Sequence, residues 1–377
     1  MRLFALLLSL CIGVFASSVF AQAAPQTPGV AAKAWLLLDA SSNQILASEK
    51  PDERIEPASL TKLMTAYLSF SALRQKTLQL TQSVPVSTRA WKQEGSRMFI
   101  EPNKPVTVDE LIHGMIIQSG NDACVALAEA IAGSEEVFAQ MMNREAHRLG
   151  MKNTHYTNST GLTDPGHYTT ARDLSILVAA LIRDFPEYYP IYSQKEYKYN
   201  NITQPNRNRL LWMDPSVDGV KTGHTEAAGW CLIASGKRGP RRLISVVLGT
   251  TSDNVRAQES QKLLNFGFLA YDAVTVYQKN QTVNELRVWK GEKNTVRAGF
   301  LEDFVVTLPK GQADKVKAQF ISQQPLMAPV QLGAPIGTLK LTVDDKPLGD
   351  YPAVAIEAVP AAGIVGRAID TVRLWFQ

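Results

Sequence analysis

The chain has 377 residues, 45% of them hydrophobic and 20% charged, with a formal net charge of +4. That length suits two domains with ample core, and the composition is that of an ordinary globular protein. No dense Lys/Arg stripe accompanies the small positive charge, which argues against nucleic acid as a partner, and three cysteines are too few for a disulfide-built scaffold.

Met1-Arg2, an apolar run from Leu3 to about Val19, and Phe20-Ala21 have the order of a signal peptide: basic start, apolar centre, small residue at the cut. Residues 1–21 are read as that leader, with a retained membrane helix as the alternative. Its removal leaves Cys124 and Cys231, expected as two buried free thiols. Ala34–Ala40 and Gln44–Ser48 flank Ser41-Ser42-Asn43 as a hairpin. A helix is expected to begin at Ser59, burying the face of Leu60, Leu63, Met64, Tyr67 and Leu68. Val106–Ile117 and Asp122–Ile131 read as helices flanking Gln118-Ser119-Gly120-Asn121. Glu135–Leu149 and Ala171–Arg183 are further helices around a polar loop, Lys152–Tyr168. Gly229–Ser235 and Leu243–Gly249 read as an antiparallel hairpin, and Asn254–Leu269 as a helix. The expected architecture of residues 22–272 is α/β (α+β): an antiparallel sheet covered by helices, with an all-helical insertion between its first and last strands.

From about Asp272 short β-rich runs follow one another: Val274–Tyr277, Leu286–Trp289, Phe304–Leu308, Val316–Ile321, Pro335–Thr342 and Ala353–Ala358. Residues 273–360 are read as a small all-β sandwich, a spacer or docking module. In residues 361–377, Ile364, Ala368, Val372 and Trp375 share one face of a helix, widened by Val365, Ile369 and Phe376. It is too short to span a bilayer. It reads as an amphipathic membrane anchor, or alternatively as a terminal helix packed on the β domain.

Three short motifs carry chemistry: Ser59-Leu60-Thr61-Lys62, Ser119-Gly120-Asn121 and Lys221-Thr222-Gly223. Each alone is weak, but their order and spacing describe an active-site serine enzyme that recognises penicillin. Ser59 and Lys62 are three apart on a helix and share a face. A neutral lysine can serve as the serine's base, and burial plus a second cation, expected to be Lys221, lowers its pKa. Gly120 permits a turn that points Ser119 and Asn121 the same way, Ser119 to relay a proton and Asn121 to hold a substrate amide. Lys221-Thr222-Gly223 is expected to precede a strand. Lys221 and Thr222 would take a carboxylate, and Gly223 would let substrate approach the strand edge. The N–H of His224 would form an oxyanion hole with that of Ser59. Arg207 is either a further cation for the carboxylate or a surface arginine. The five histidines make no metal-ligand spacing, and no cofactor is expected.

Around these motifs the chain resembles the low-molecular-mass penicillin-binding proteins, specifically the D-alanyl-D-alanine carboxypeptidases of the type-5/type-6 kind. The likeness covers Pro57 to Met64, Ile117 to Ala123, Ala171-Arg172-Asp173-Leu174, Asn206-Arg207-Asn208 and Val217 to Thr225, together with the layout of leader, catalytic domain, β domain and tail. The resemblance implies an enzyme on the periplasmic face of the bacterial cytoplasmic membrane, removing the terminal D-alanine from peptidoglycan pentapeptide stems. It also implies acylation of Ser59 by β-lactams. Two residues depart from the pattern: Thr160, where some relatives carry histidine, and Arg209, where relatives often have glycine. A class A β-lactamase needs a glutamate for deacylation, and 153–167 contains none. A DD-endopeptidase acting on cross-linked peptidoglycan is the alternative activity, and a non-enzymatic wall-binding protein the alternative of another class.

Overall fold

The computed structural model describes residues 25–375, so the leader expected at residues 1–21 lies outside the described residues. β1 (Ala34–Asp39) and β2 (Gln44–Glu49) form the expected hairpin, and a 3-10 turn, Ala58–Thr61, runs directly into α1 (Lys62–Arg74). Short paired strands β3 (Ser83–Val84) and β4 (Val106–Thr107) flank α2 (Thr88–Trp91). Then come α3 (Val108–Ile117), α4 (Asn121–Ala132), α5 (Glu135–Leu149) and α6 (Ala171–Asp184). A hairpin of β5 (Glu196–Tyr199) and β6 (Ile202–Pro205) and one turn, α7 (Leu210–Met213), lead to β7 (Val217–Thr225), β8 (Gly229–Arg238), β9 (Arg241–Thr250) and α8 (Asp253–Ala270).

The main sheet has the order β2-β1-β9-β8-β7 and is antiparallel throughout. β1 is buried on both faces, as its unbroken apolar run requires. Ala34, Leu36 and Leu38 join one core with the helical insertion, while Trp35 and Leu37 join a second with Leu263 and Leu264 of α8. Each buried leucine among them contributes about 1.5–3 kcal/mol. This topology leaves β7 at the edge, with one side of its backbone free of strand partners.

The sequence suggested one buried face on the first helix. α1 is instead enclosed on nearly all sides: Lys62 through Phe70 are buried without interruption. Its polar members are satisfied internally, Thr65 donating to the Ser159 carbonyl at 2.7 Å and Ser69 to the Thr65 carbonyl at 2.8 Å. The helix also starts later than expected, because Ser59 belongs to the tighter turn before it. Both described cysteines are buried free thiols.

The C-terminal region contains β10 (Tyr271–Tyr277), β11 (Asn284–Trp289), β12 (Thr295–Gly299), β13 (Phe304–Pro309), β14 (Val316–Ser322), β15 (Leu326–Met327), β16 (Pro335–Val343) and β17 (Lys346–Ala355). A six-stranded sheet, β14-β16-β17-β12-β11-β15, accompanies a two-stranded one, β10-β13. The last expected run, Ala353–Ala358, overlaps only the end of β17, whose earlier half carries Pro347 and Gly349 and gives no clear alternation. The two regions meet at a buried ion pair. Arg241 Nε donates to Asp39 at 2.7 Å, Thr307 Oγ1 donates to the same carboxylate oxygen at 2.9 Å, and Arg241 Nη1 donates to the Tyr271 carbonyl at 2.6 Å.

α9 (Ile364–Leu374) closes the described chain. Its inward side is polar: Asp370 is buried and accepts the Lys290 N–H at 2.7 Å. Ile364 and Trp375 are 79% and 82% exposed, with Val365, Ile369 and Val372 also turned outward. No helix among the described residues is long and apolar enough to cross a membrane.

Candidate active site

Ser59 sits where the 3-10 turn meets α1, half-buried, preceded by Ala58 at φ +48°. Left-handed backbone at a residue with a Cβ costs about 1–3 kcal/mol, and a packed surrounding must hold it. Gly223 of β7 supplies part of that surrounding. A Cβ there would lie 3.1 Å from the Pro57 carbonyl oxygen and 3.3 Å from Ala58 Cβ. The glycine thus lets the edge strand press on the turn that carries Ser59, a closer duty than the substrate approach expected from sequence. Lys221-Thr222-Gly223 does not precede a strand but lies inside β7, paired with Ile233, Leu232 and Cys231 of β8.

Lys62 Nζ lies 2.9 Å from Ser59 Oγ, 2.7 Å from Asn121 Oδ1 and 2.6 Å from the Thr160 carbonyl oxygen, on a side chain only 1% exposed. An ammonium can donate to all three. A neutral amine has two N–H groups and one lone pair. Asn121 Oδ1 and the Thr160 carbonyl can only accept, so the lone pair must face Ser59, the one partner with a proton to give. Burial, helped by the charge of Arg207, lowers the Lys62 pKa to about 8. The sequence assigned that second charge to Lys221. Lys221 is itself buried and held well below its ordinary range by desolvation and by the charges of Lys62 and Arg207. Arg207 therefore remains the effective cation.

Lys221 Nζ donates to Ser119 Oγ at 2.9 Å. Ser119, not Gly120, has the left-handed backbone, at φ +72°. Gly120 is extended (φ −61°, ψ 116°) and is needed for space, because a Cβ there would lie 2.9 Å from Asp122 Oδ1 and 3.1 Å from the Met98 nitrogen. Both ends of the Asn121 amide are occupied within the protein, Oδ1 by Lys62 and Nδ2 by the Glu94 carbonyl at 2.6 Å. In this arrangement Asn121 orients Lys62. Asp122 accepts the N–H groups of Met98, Phe99 and Ile100 and so ties down the irregular segment after Ser96, in which Phe99 has left-handed backbone at φ +69°.

Ser59, Ser119, Arg207, Thr222 and His224 line one cavity of about 200 Å³, with Ser96 on its rim. His224 stacks on Trp230 with ring centroids 3.9 Å apart. The serine, its buried amine, the Ser119–Lys221 pair and the edge strand are therefore brought together as the motifs required.

Residues 21–252 match the family model described as D-alanyl-D-alanine carboxypeptidase. The chain belongs to the D-alanyl-D-alanine carboxypeptidase family. Residues 271–361 match the C-terminal domain of penicillin-binding protein 5. The chain is 43% identical to D-alanyl-D-alanine carboxypeptidase DacC of Escherichia coli strain K12, over 97% of this chain and 93% of that protein. It is 38% identical to DacA of the same strain, over 94% and 90%. The crystal structure of penicillin binding protein 5 from Haemophilus influenzae superposes with a TM-score of 0.84 at 40% identity, covering 89% of this chain and 99% of that one. The protein is a serine-type D-alanyl-D-alanine carboxypeptidase, a hydrolase with the penicillin-binding-protein fold.

Three contributors to this carboxypeptidase site were not anticipated. Arg256 of α8 is buried beneath the cavity, its Nη1 donating to the Gly223 carbonyl at 3.1 Å and its guanidinium lying over the Trp230 ring. Ser96 lines the cavity without any motif of its own. Thr160 acts through its backbone carbonyl, so exchanging its side chain, the feature noted in the sequence, leaves the bond to Lys62 available. Glu135 of α5 is bonded to Ser159 and Arg89 rather than to Ser59 or Lys62.

Proposed function

We propose that Ser59 attacks the carbonyl carbon between the two terminal D-alanines of a peptidoglycan pentapeptide stem. Neutral Lys62 takes the hydroxyl proton as the Oγ–C bond forms. The N–H groups of Ser59 and His224 stabilise the oxyanion. Losing one such donor typically costs about 100- to 1,000-fold in rate. Thr222, Lys221 and Arg207 hold the terminal carboxylate. Ser119, bonded to Lys221, gives its proton to the departing amine as the C–N bond breaks and D-alanine leaves, and the proton that Lys62 took from Ser59 is handed on to Ser119, which leaves Lys62 neutral again. Water then attacks the acyl-enzyme; Lys62 takes the water's proton and returns it to Ser59 Oγ as the acyl–oxygen bond breaks. The observation that carries this reading is the buried Lys62 amine, whose only proton-donating partner among the described residues is Ser59.

Penicillin is expected to acylate Ser59 by the same route and to stay attached, because no carboxylate among the described residues is hydrogen-bonded to Ser59 or Lys62 to activate the deacylating water. Intact-protein mass spectrometry should show a persistent adduct. Rapid return to the free mass would point to a β-lactamase instead.

We further infer that the chain is exported and works at the periplasmic face of the cytoplasmic membrane, held there by its tail. The outward-turned apolar side of α9 and the clamp from Asp370 to the Lys290 N–H support that placement. Deleting residues 363–377 should move the protein to the soluble fraction with D-alanine release retained. Unchanged membrane retention after the deletion would contradict the anchor.

A further inference from the structure

A second cavity, about 460 Å³, adjoins the one that holds Ser59, and the two share Arg207, Trp230 and Arg256 as a common wall. Neither Ser59 nor Ser119 lines it; Gln118, Arg209 and Asp253 are among the residues that line it alone. It therefore begins where the carboxylate-binding side of the site ends and offers room that a departing D-alanine does not fill.

Its chemistry favours an anion. Three arginines face one carboxylate, and Asp253 is already paired with Arg256 and with Arg209, the latter at 3.3 Å. Among the described residues Arg207 makes a single side-chain hydrogen bond, from Nε to the Gln118 carbonyl at 3.2 Å, which leaves its terminal nitrogens available. Arg209 is 57% exposed, with one long contact. Gln118 contributes only wall: its side chain is 4% exposed and its amide nitrogen does not open on the cavity, so Arg209 is the group positioned to meet a ligand there.

We propose that this cavity is a leaving-group subsite for a D-residue carrying a second carboxylate, a D-amino dicarboxylic acid in place of D-alanine, with Arg209 meeting the extra anion. The proposal rests on the reading that Ser59 cleaves after D-alanine and adds a preference for what departs. Arg209 has no motif of its own; it acquires this position because α7 and the start of α8 converge beside the edge strand.

The test compares acyl-D-alanyl-D-glutamate with acyl-D-alanyl-D-glutamine, alike in shape and different in charge, on the full chain and on Arg209→Gln and Arg209→Lys. Wild type should show kcat/KM about three- to tenfold higher for the D-glutamate substrate, as expected of a partly exposed charge contact. The preference should shrink at high salt. Arg209→Gln should bring the ratio to about one, and Arg209→Lys should restore part of it, on the same ion-pair logic. Labelling of Ser59 by fluorescent penicillin verifies that each variant is folded. A wild-type ratio of one, or a preference that Arg209→Gln leaves in place, overturns the subsite. Failure of wild type to release D-alanine from acyl-D-alanyl-D-alanine would overturn the underlying reading as well, so the two failures are distinguishable.

Discussion

Replacing Lys62 with alanine is expected to slow acylation of Ser59 by about 10⁴-fold or more, the scale on which members of a catalytic unit act. In the proposed mechanism Lys62 takes the proton, and its Nζ joins Ser59, Asn121 and the Thr160 carbonyl in one knot. Lys62→Arg should not rescue the rate, because a guanidinium stays protonated and has no lone pair to offer. In wild type the acylation rate should rise with pH through about 8, since the active form is the neutral amine and burial has brought its pKa there. Well below that pH the rate should fall about tenfold per unit as the ammonium takes over. Time courses of fluorescent-penicillin labelling across pH measure both effects. A Lys62→Ala variant within tenfold of wild type, or a flat profile, would mean that another group is the base.

Gly161→Ala should be the most damaging single-methyl change in the catalytic domain. Gly161 has φ +86°, and a Cβ there would sit 1.7 Å from the Ala58 carbonyl oxygen and 2.8 Å from Thr61 Oγ1. The first contact is with backbone, so no rotamer change relieves it. The loop must move, and with it the Thr160 carbonyl that receives Lys62 Nζ. We expect a loss on the order of 3 kcal/mol of stability, at the upper end for overpacking combined with left-handed strain. Acylation should drop as well. Gly133→Ala is the control: it shares the left-handed backbone, φ +80°, but a Cβ there meets nothing within 4 Å. It should cost about 1 kcal/mol, and denaturant titration separates the two. Equal losses would show that the crowding at Ala58 is not what Gly161 relieves.

The three motifs were legible because their side chains do the work and their order survives in one dimension. The helices Glu135–Leu149 and Ala171–Arg183 were legible through their caps and periodicity: Ser134 caps one, Thr170 the other, and Gly150 ends the first. Other features left no trace in residue type. The Thr160 carbonyl carries half of the argument for Lys62, yet any residue has a carbonyl. Gly120 advertised a backbone turn, but the left-handed residue of that turn is Ser119, because packing against Met98 and Asp122 claimed the glycine for space. The role of Lys221 in depressing Lys62 was misassigned because sequence could not reveal that Lys221 would itself be buried. Arg256 reaches the site only through the fold, since α8 passes behind β7 and β8. In the β domain, the strand over Thr295–Gly299 was missed because charge and glycine interrupt its short apolar alternation.

The claim that Ser59 is the nucleophile of a D-alanyl-D-alanine carboxypeptidase is tested most directly by measuring D-alanine released from a pentapeptide stem, with Ser59→Ala beside wild type. The account predicts steady release by wild type, none above background from Ser59→Ala, and no cleavage by wild type of the bond nearer the start of the stem. Release by Ser59→Ala at a rate close to wild type, or no release by wild type, would contradict it.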